Sequence, residues 1–332
     1  MRINLFILSA LGIIFSLFNG LQTFAASTNN AANTLKVSPV RRDVEINPGE
    51  SKKIQTTVTN LTSTSITVRP IENDFISGDD RGTPALILDE NEYAPTHSLK
   101  RFMGPLDNVT IPANSAKTVD LAITVPKNAQ AGGYFGAIRF APIAPGGGGQ
   151  VNLSASVASL ILAKISGDIP EKLNLTQFTI QQNGRSSELF GNPDNLQVSA
   201  GFRNDGGVQE GPFGKISVLQ DDKKIIYEAD FNNKDPRDVV LPDSTRRWDI
   251  PLKNIGELGH YTVNATFTYG KVNQTINVTK SFWVIPQMTI IAVVIGIILI
   301  MILLIGAPML FRNRRKHRSS RRHGGNGLRI HH

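Results

Sequence analysis

The segment Met288–Phe311 holds 24 residues without one Asp, Glu, Lys or Arg. At a rise of ~1.5 Å per residue, a helix of that length reaches about 36 Å, enough to cross a ~30 Å hydrocarbon layer with some tilt. Pro286 stands before it and Arg312 directly after it. Residues 312–332 carry eight Lys/Arg and no acid, a block that resists translocation when it flanks a membrane helix. The pattern predicts one transmembrane helix over 288–311 and a basic cytoplasmic tail over 312–332 in contact with anionic lipid headgroups. At the other end, Arg2 precedes an apolar run over 3–18, and small residues follow at Ala25 and Ala26. That is the plan of a secretory signal, so 1–26 is predicted to be a signal peptide and 27–34 a flexible leader. The large part between the two apolar segments is then extracellular, held at the cell membrane by a single pass.

The net charge of +8 and pI of about 9.7 would ordinarily point to nucleic acid. With the eight tail residues and Arg2 set aside, 26 Lys/Arg face all 27 Asp/Glu, so the body is nearly neutral. No nucleic-acid partner is expected. The absence of cysteine excludes disulfides, thiol catalysis and cysteine-ligated metal sites.

Alternation with a period of two dominates the body. Val119, Leu121, Ile123 and Val125 alternate with polar or small residues, as do Leu196, Val198, Ala200 and Phe202, and Tyr261, Val263, Ala265, Phe267 and Tyr269. Turn signals punctuate these runs at Asn47-Pro-Gly-Glu50, Pro112–Ser115, Asn192-Pro-Asp194 and Pro242-Asp-Ser244. Val157–Ile165 is more continuously apolar and reads as a central strand covered on both faces. The predicted class is all-β: two immunoglobulin-like β-sandwich domains, 35–167 and 168–285, divided at Gly167-Asp-Ile-Pro170 and followed by the membrane helix. The order Pro112, Ser115, Pro126, Tyr134 is echoed by Pro242, Ser244, Pro251, Tyr261, with different spacings.

Signs of catalysis are missing. The body has two histidines, His97 and His260, and lacks the Gly-x-Ser-x-Gly, His-Glu-x-x-His and phosphate-loop motifs. The run Gly146–Gly149 lacks a following Lys and reads as a hairpin loop. Glu72–Glu92, with Asp74, Asp79, Asp80, Asp89 and Glu90, reads as a solvated loop insertion, calcium being the rival reading. Seven Asn-x-Ser/Thr sequons, at Asn60, Asn108, Asn152, Asn174, Asn264, Asn273 and Asn277, are either glycan acceptors or the polar faces of strands. Trp283, close to the span, is either an interface anchor or a core residue. Tyr93, Phe102, Tyr134 and Phe135 could stack on sugars where exposed. The candidate ligand-binding residues are Asp79, Asp80, Tyr134, Phe135 and Arg139, with no cofactor, no metal and no catalytic residue.

The ordered features of the first half resemble a known family. They are Val44–Ile46, the Asn47–Glu50 turn, Ile54–Val58, Thr59-Asn-Leu-Thr62, Val109-Thr-Ile-Pro112, Val119–Pro126 and the glycine-marked Ala131–Phe140. With a second β-module, a span and a basic tail after them, the chain resembles the Gram-positive cell-surface proteins that interact with WxL-domain proteins. The resemblance implies peptidoglycan binding by the first domain and a WxL-domain partner for the second. The function expected is that of a non-catalytic, membrane-anchored surface protein binding cell-wall peptidoglycan, a surface-protein partner, or both. The alternative is an adhesin or structural scaffold that recognises a foreign protein.

Overall fold

The computed structural model describes residues 34–143 and 156–319. The predicted signal peptide, nearly all of the leader, the four-glycine loop and the end of the basic tail lie outside the described residues.

Nine strands come first: β1 (Leu35–Ser38), β2 (Arg41–Ile46), β3 (Ser51–Asn60), β4 (Ile66–Ser77), β5 (Pro84–Leu86), β6 (Val109–Ile111), β7 (Ala116–Thr124), β8 (Gly132–Pro142) and β9 (Val157–Ile165). They form one sheet in the order β1-β3-β7 and a second in the order β2-β9-β8-β4-β5, with β6 beside β4. The two sheets enclose a core that includes Ile46, Val58, Leu121, Ile123, Phe140 and Ile161. Nine more strands follow: β10 (Leu173–Gln182), β11 (Arg185–Ser186), β12 (Leu189–Phe190), β13 (Leu196–Asn204), β14 (Phe213–Gln220), β15 (Lys224–Phe231), β16 (Thr245–Pro251), β17 (Gly259–Tyr269) and β18 (Gln274–Val284). Their sheets run β11-β10-β13-β16 and β12-β18-β17-β14-β15. Among the described residues, no ladder joins a strand of the first group to one of the second.

Both groups share one wiring. In each, the first part of the chain pairs antiparallel within one sheet, β1 on β3 and β10 on β13. The chain then changes sheet and pairs parallel to the last strand, β2 on β9 and β12 on β18. In the first unit the change falls at Pro39, whose ring nitrogen has no proton to give a ladder. The expected strand-turn-strand around Asn47–Glu50 is present but is not a hairpin. β2 and β3 belong to different sheets, and the turn carries the chain between them.

A buried asparagine marks the corresponding corner of each unit. Asn60 donates Nδ2–H to the Thr64 and Ile111 carbonyls (2.7 and 3.1 Å) and its backbone N–H to the Ser115 carbonyl (2.9 Å). Asn204 does the same toward Val208, Val240 and Ser244 (2.7, 2.9 and 3.0 Å). Each side-chain oxygen accepts the N–H two residues on, from Thr62 and Gly206 (2.9 Å each). The sequence echo is thus a structural one: Ser115 and Ser244 sit opposite these asparagines, and Tyr134 and Tyr261 are the third residues of β8 and β17. Asn60, fully buried with its amide spent, is a corner residue and not an open glycan acceptor.

The second core is aromatic. Phe267 lies 4.9 Å from both Phe202 and Phe231 in edge-on geometry, and Trp248 packs beside Phe202 at 5.7 Å. The final helix, α1 (Gln287–Ser319), follows β18 after two intervening residues, Ile285 and Pro286. Its stretch Gln287–Leu304 has a mean hydropathy of 2.9 and none of it is buried against the rest of the chain. It is one candidate membrane span, starting where the sequence pattern predicts.

Candidate functional site

The polar segment read as a solvated insertion is built into the first unit. Glu72, Asn73 and Asp74 belong to β4, and Asn73 and Asp74 are fully buried. Asp74 accepts the Ala94 N–H (2.9 Å) and the Lys100 N–H (2.8 Å), fixing the loop that follows at two points. Asn73 donates to the Ile87 carbonyl (2.7 Å) and accepts from Arg139 Nε (3.1 Å). These carboxylate and amide groups organise backbone. No group of three or more His, Asp or Glu suited to a metal occurs among the described residues.

The loop so fixed presents Tyr93, which is 42% exposed. Lys100 Nζ and the Arg101 guanidinium lie 4.8 and 4.7 Å from its ring centroid, within cation–π range. Lys100 Nζ also donates to the Glu90 and Glu92 carbonyls (2.7 and 2.9 Å), and Arg69 pairs with Glu90. The result is an aromatic ring at the surface with two cations beside it.

The five residues singled out from the sequence are not brought together. Asp79 closes a turn, accepting the N–H of Arg81 and of Thr83 (2.9 Å each). The hydrogen bonds from Thr83, backbone first, hold its carboxyl below its ordinary range. Asp80 reaches the second unit, where its carbonyl accepts the Arg247 N–H and its carboxylate lies 3.4 Å from Arg247 Nε. Tyr134 packs on Phe102 (5.2 Å) and donates its hydroxyl proton to the Gln130 carbonyl (2.9 Å). Burial raises its phenol pKa. Phe135 is 3% exposed and packs on Phe75, so it has no face to offer a sugar. Arg139 is held by Asn73. The reason is the sheet: β8 is covered on one side by the core and on the other by the second unit, so its glycine-marked stretch is interior.

Residues 42–142 match the WxL Interacting Protein, peptidoglycan binding domain, family. The first unit belongs to that family.

Among solved structures, the class 5 fimbriae chaperone CfaA aligns at 11% identity over 75% of this chain and 98% of that one, with a TM-score of 0.37. The Pseudomonas aeruginosa CupB2 chaperone aligns at 9% over 74% and 99% (TM-score 0.32), and the E. coli chaperone DraB at 15% over 76% and 98% (0.30). Scores of that size support no conclusion about this chain. No curated protein matches it.

Tyr93, Lys100, Arg101 and all five residues singled out from the sequence lie within the peptidoglycan-binding-domain segment. A cleft of about 590 Å³ at the junction of the two units lies mostly outside that segment, with Arg41, Asp43 and Lys164 on one side and Glu210, Phe213 and Lys271 on the other. Only Asp43 of these six is inside the matched segment. Glu210, 4% exposed, accepts the Gly270 N–H (3.1 Å) at the cleft wall. Burial, with the Glu171 charge adding to it, pushes its carboxyl up to about 7. Nothing in the local sequence Val208-Gln-Glu-Gly211 distinguishes Glu210 from an exposed acid, because its burial comes from packing against Gly270, distant in the chain.

Beside the cleft, the junction is apolar and hydrogen-bonded. Phe75, Phe135 and Leu162 pack with Val239 and Leu241 of the second unit. The Gly133 N–H donates to the Gly207 carbonyl (2.8 Å), Arg41 Nη1 donates to the Arg237 carbonyl (2.7 Å), and Arg81 pairs with Asp249 (2.9 Å).

Proposed function

We propose that the chain is a non-catalytic, membrane-anchored surface protein whose first unit binds cell-wall peptidoglycan. The family of residues 42–142 is the observation that carries this reading. The two sheet pairs act as separate immunoglobulin-like domains, 35–167 and 168–285, the second free to engage a WxL-domain surface protein. The helix from Gln287 crosses the membrane, and the basic segment after it stays on the cytoplasmic side.

Within the matched segment the Tyr93 surface suits such a ligand. A half-exposed aromatic ring can take the apolar face of a sugar, and the neighbouring Lys100 and Arg101 suit the carboxylates of the attached peptides. Incubating the detergent-solubilised full chain with purified cell-wall sacculi and pelleting them tests the reading. Saturable retention is expected. Retention no greater than that of an unrelated membrane protein would refute it.

A further inference from the structure

β18 carries a tryptophan that its own strand pattern does not need. Phe282 and Val284 point inward and are fully buried, whereas Trp283 between them points outward and is 49% exposed. It is not a core residue. Its cross-strand neighbours, Leu189 of β12 and His260 of β17, stand on the same outer face, because directly paired residues share a face. Leu189 is 53% exposed, and the His260 ring lies 4.8 Å from the indole. Leu258, just before β17, is 58% exposed. Three large apolar side chains thus gather at one end of the second unit, at a cost that solvent exposure alone does not repay.

That end is where the apolar helix leaves. Trp283 and Gln287 are separated by at most about 14 Å of chain, even fully extended. The linker is also fixed: the Ile285 N–H donates to the Phe190 carbonyl (2.8 Å), and the Thr289 N–H to the Pro286 carbonyl (2.9 Å). The loop after β12 reaches the start of the helix, with the Gly191 Cβ position 3.7 Å from Gln287 Cγ. Near the patch, Lys280 pairs with Glu188 and Asp222 lies 3.9 Å from His260, while Glu257, next to Leu258, is exposed.

We propose that the end of the second unit bearing Trp283, Leu189 and Leu258 docks on the lipid headgroup layer, holding the extracellular part at a set tilt to the membrane. A tryptophan suits that layer because its body is apolar and its indole N–H can still find a polar partner. The inference rests on α1 spanning the bilayer.

The test uses the full chain reconstituted in phosphatidylcholine–phosphatidylglycerol vesicles, with part of the phosphatidylcholine brominated near the top of its acyl chains. The chain has two tryptophans, and Trp248 is packed in the second core. Bromolipid is expected to quench about half of the emission, and Trp283→Phe is expected to remove the quenchable part while leaving Trp248 emission unchanged. Retention of the chain in carbonate-washed vesicles without quenching would overturn the docking and leave the span standing. Release of the chain by the carbonate wash would overturn both.

Discussion

Glu210 is an acid held where its charge is costly, and the consequence for stability has a definite sign. Its carboxyl titrates at about 7 in the folded chain, against an ordinary value of 4.5. Between those pH values the folded state keeps the proton longer than the unfolded chain does. The stabilisation from this group is therefore complete below about pH 4.5 and is lost as pH rises through 7, by up to roughly 3 kcal/mol. Urea unfolding of wild type and Glu210→Gln at pH 5 and pH 8 checks this. The wild type should lose more stability across that interval than the variant, whose amide oxygen can still accept the Gly270 N–H; equal losses would contradict the assignment. Asp74 serves as a buried acceptor whose removal orphans two N–H groups. Asp74→Ala should cost about 2–4 kcal/mol in urea midpoint analysis and should free the Tyr93 loop, seen as faster hydrogen exchange over 87–103.

The strands most easily read from the sequence are those whose apolar residues alternate. Leu196, Val198, Ala200 and Phe202 of β13 and the five alternating residues of β17 are all buried, as their period demands. Of the two- and three-residue strands, β5, β11 and β12 had no legible signal, since a period needs several repeats to show. β4 was hidden for another reason: Glu72, Asn73 and Asp74 look solvated until their partners in the 87–103 loop and on β8 are known. The same limit applied to the candidate site. Whether Phe135 and Arg139 are exposed could not be read locally because the elements covering them are distant in sequence, whereas Tyr93 was already among the aromatics that could meet a sugar. Strand spacing also gives a prediction. A Cβ on Gly214 of β14 would sit 1.9 Å from the Thr266 carbonyl oxygen of β17. Gly214→Ala should push the two central strands apart and cost about 1–3 kcal/mol, measured as a lowered thermal midpoint.

Taken whole, the chain repeats one sheet-switching topology and joins the copies through an apolar contact and a short stretch, 166–172. Phe135 sits in that contact, so Phe135→Ala should loosen the junction, with faster tryptic cleavage at Lys172 as the readout. An unchanged rate would mean that the hydrogen bonds around Gly133 and Arg41 hold the units without it. The basic segment 312–332, after the candidate membrane span, accounts for the excess positive charge. The proposed function rests on the nearly neutral first unit, where residues 42–142 match a peptidoglycan-binding-domain family. Calorimetric titration of the full chain with soluble peptidoglycan fragments that keep their stem peptides, for wild type and Tyr93→Ala, tests that claim most directly. The account predicts saturable binding by the wild type, with affinity about tenfold lower in Tyr93→Ala, a difference of ~1.4 kcal/mol. Absence of saturable binding by the wild type would contradict it.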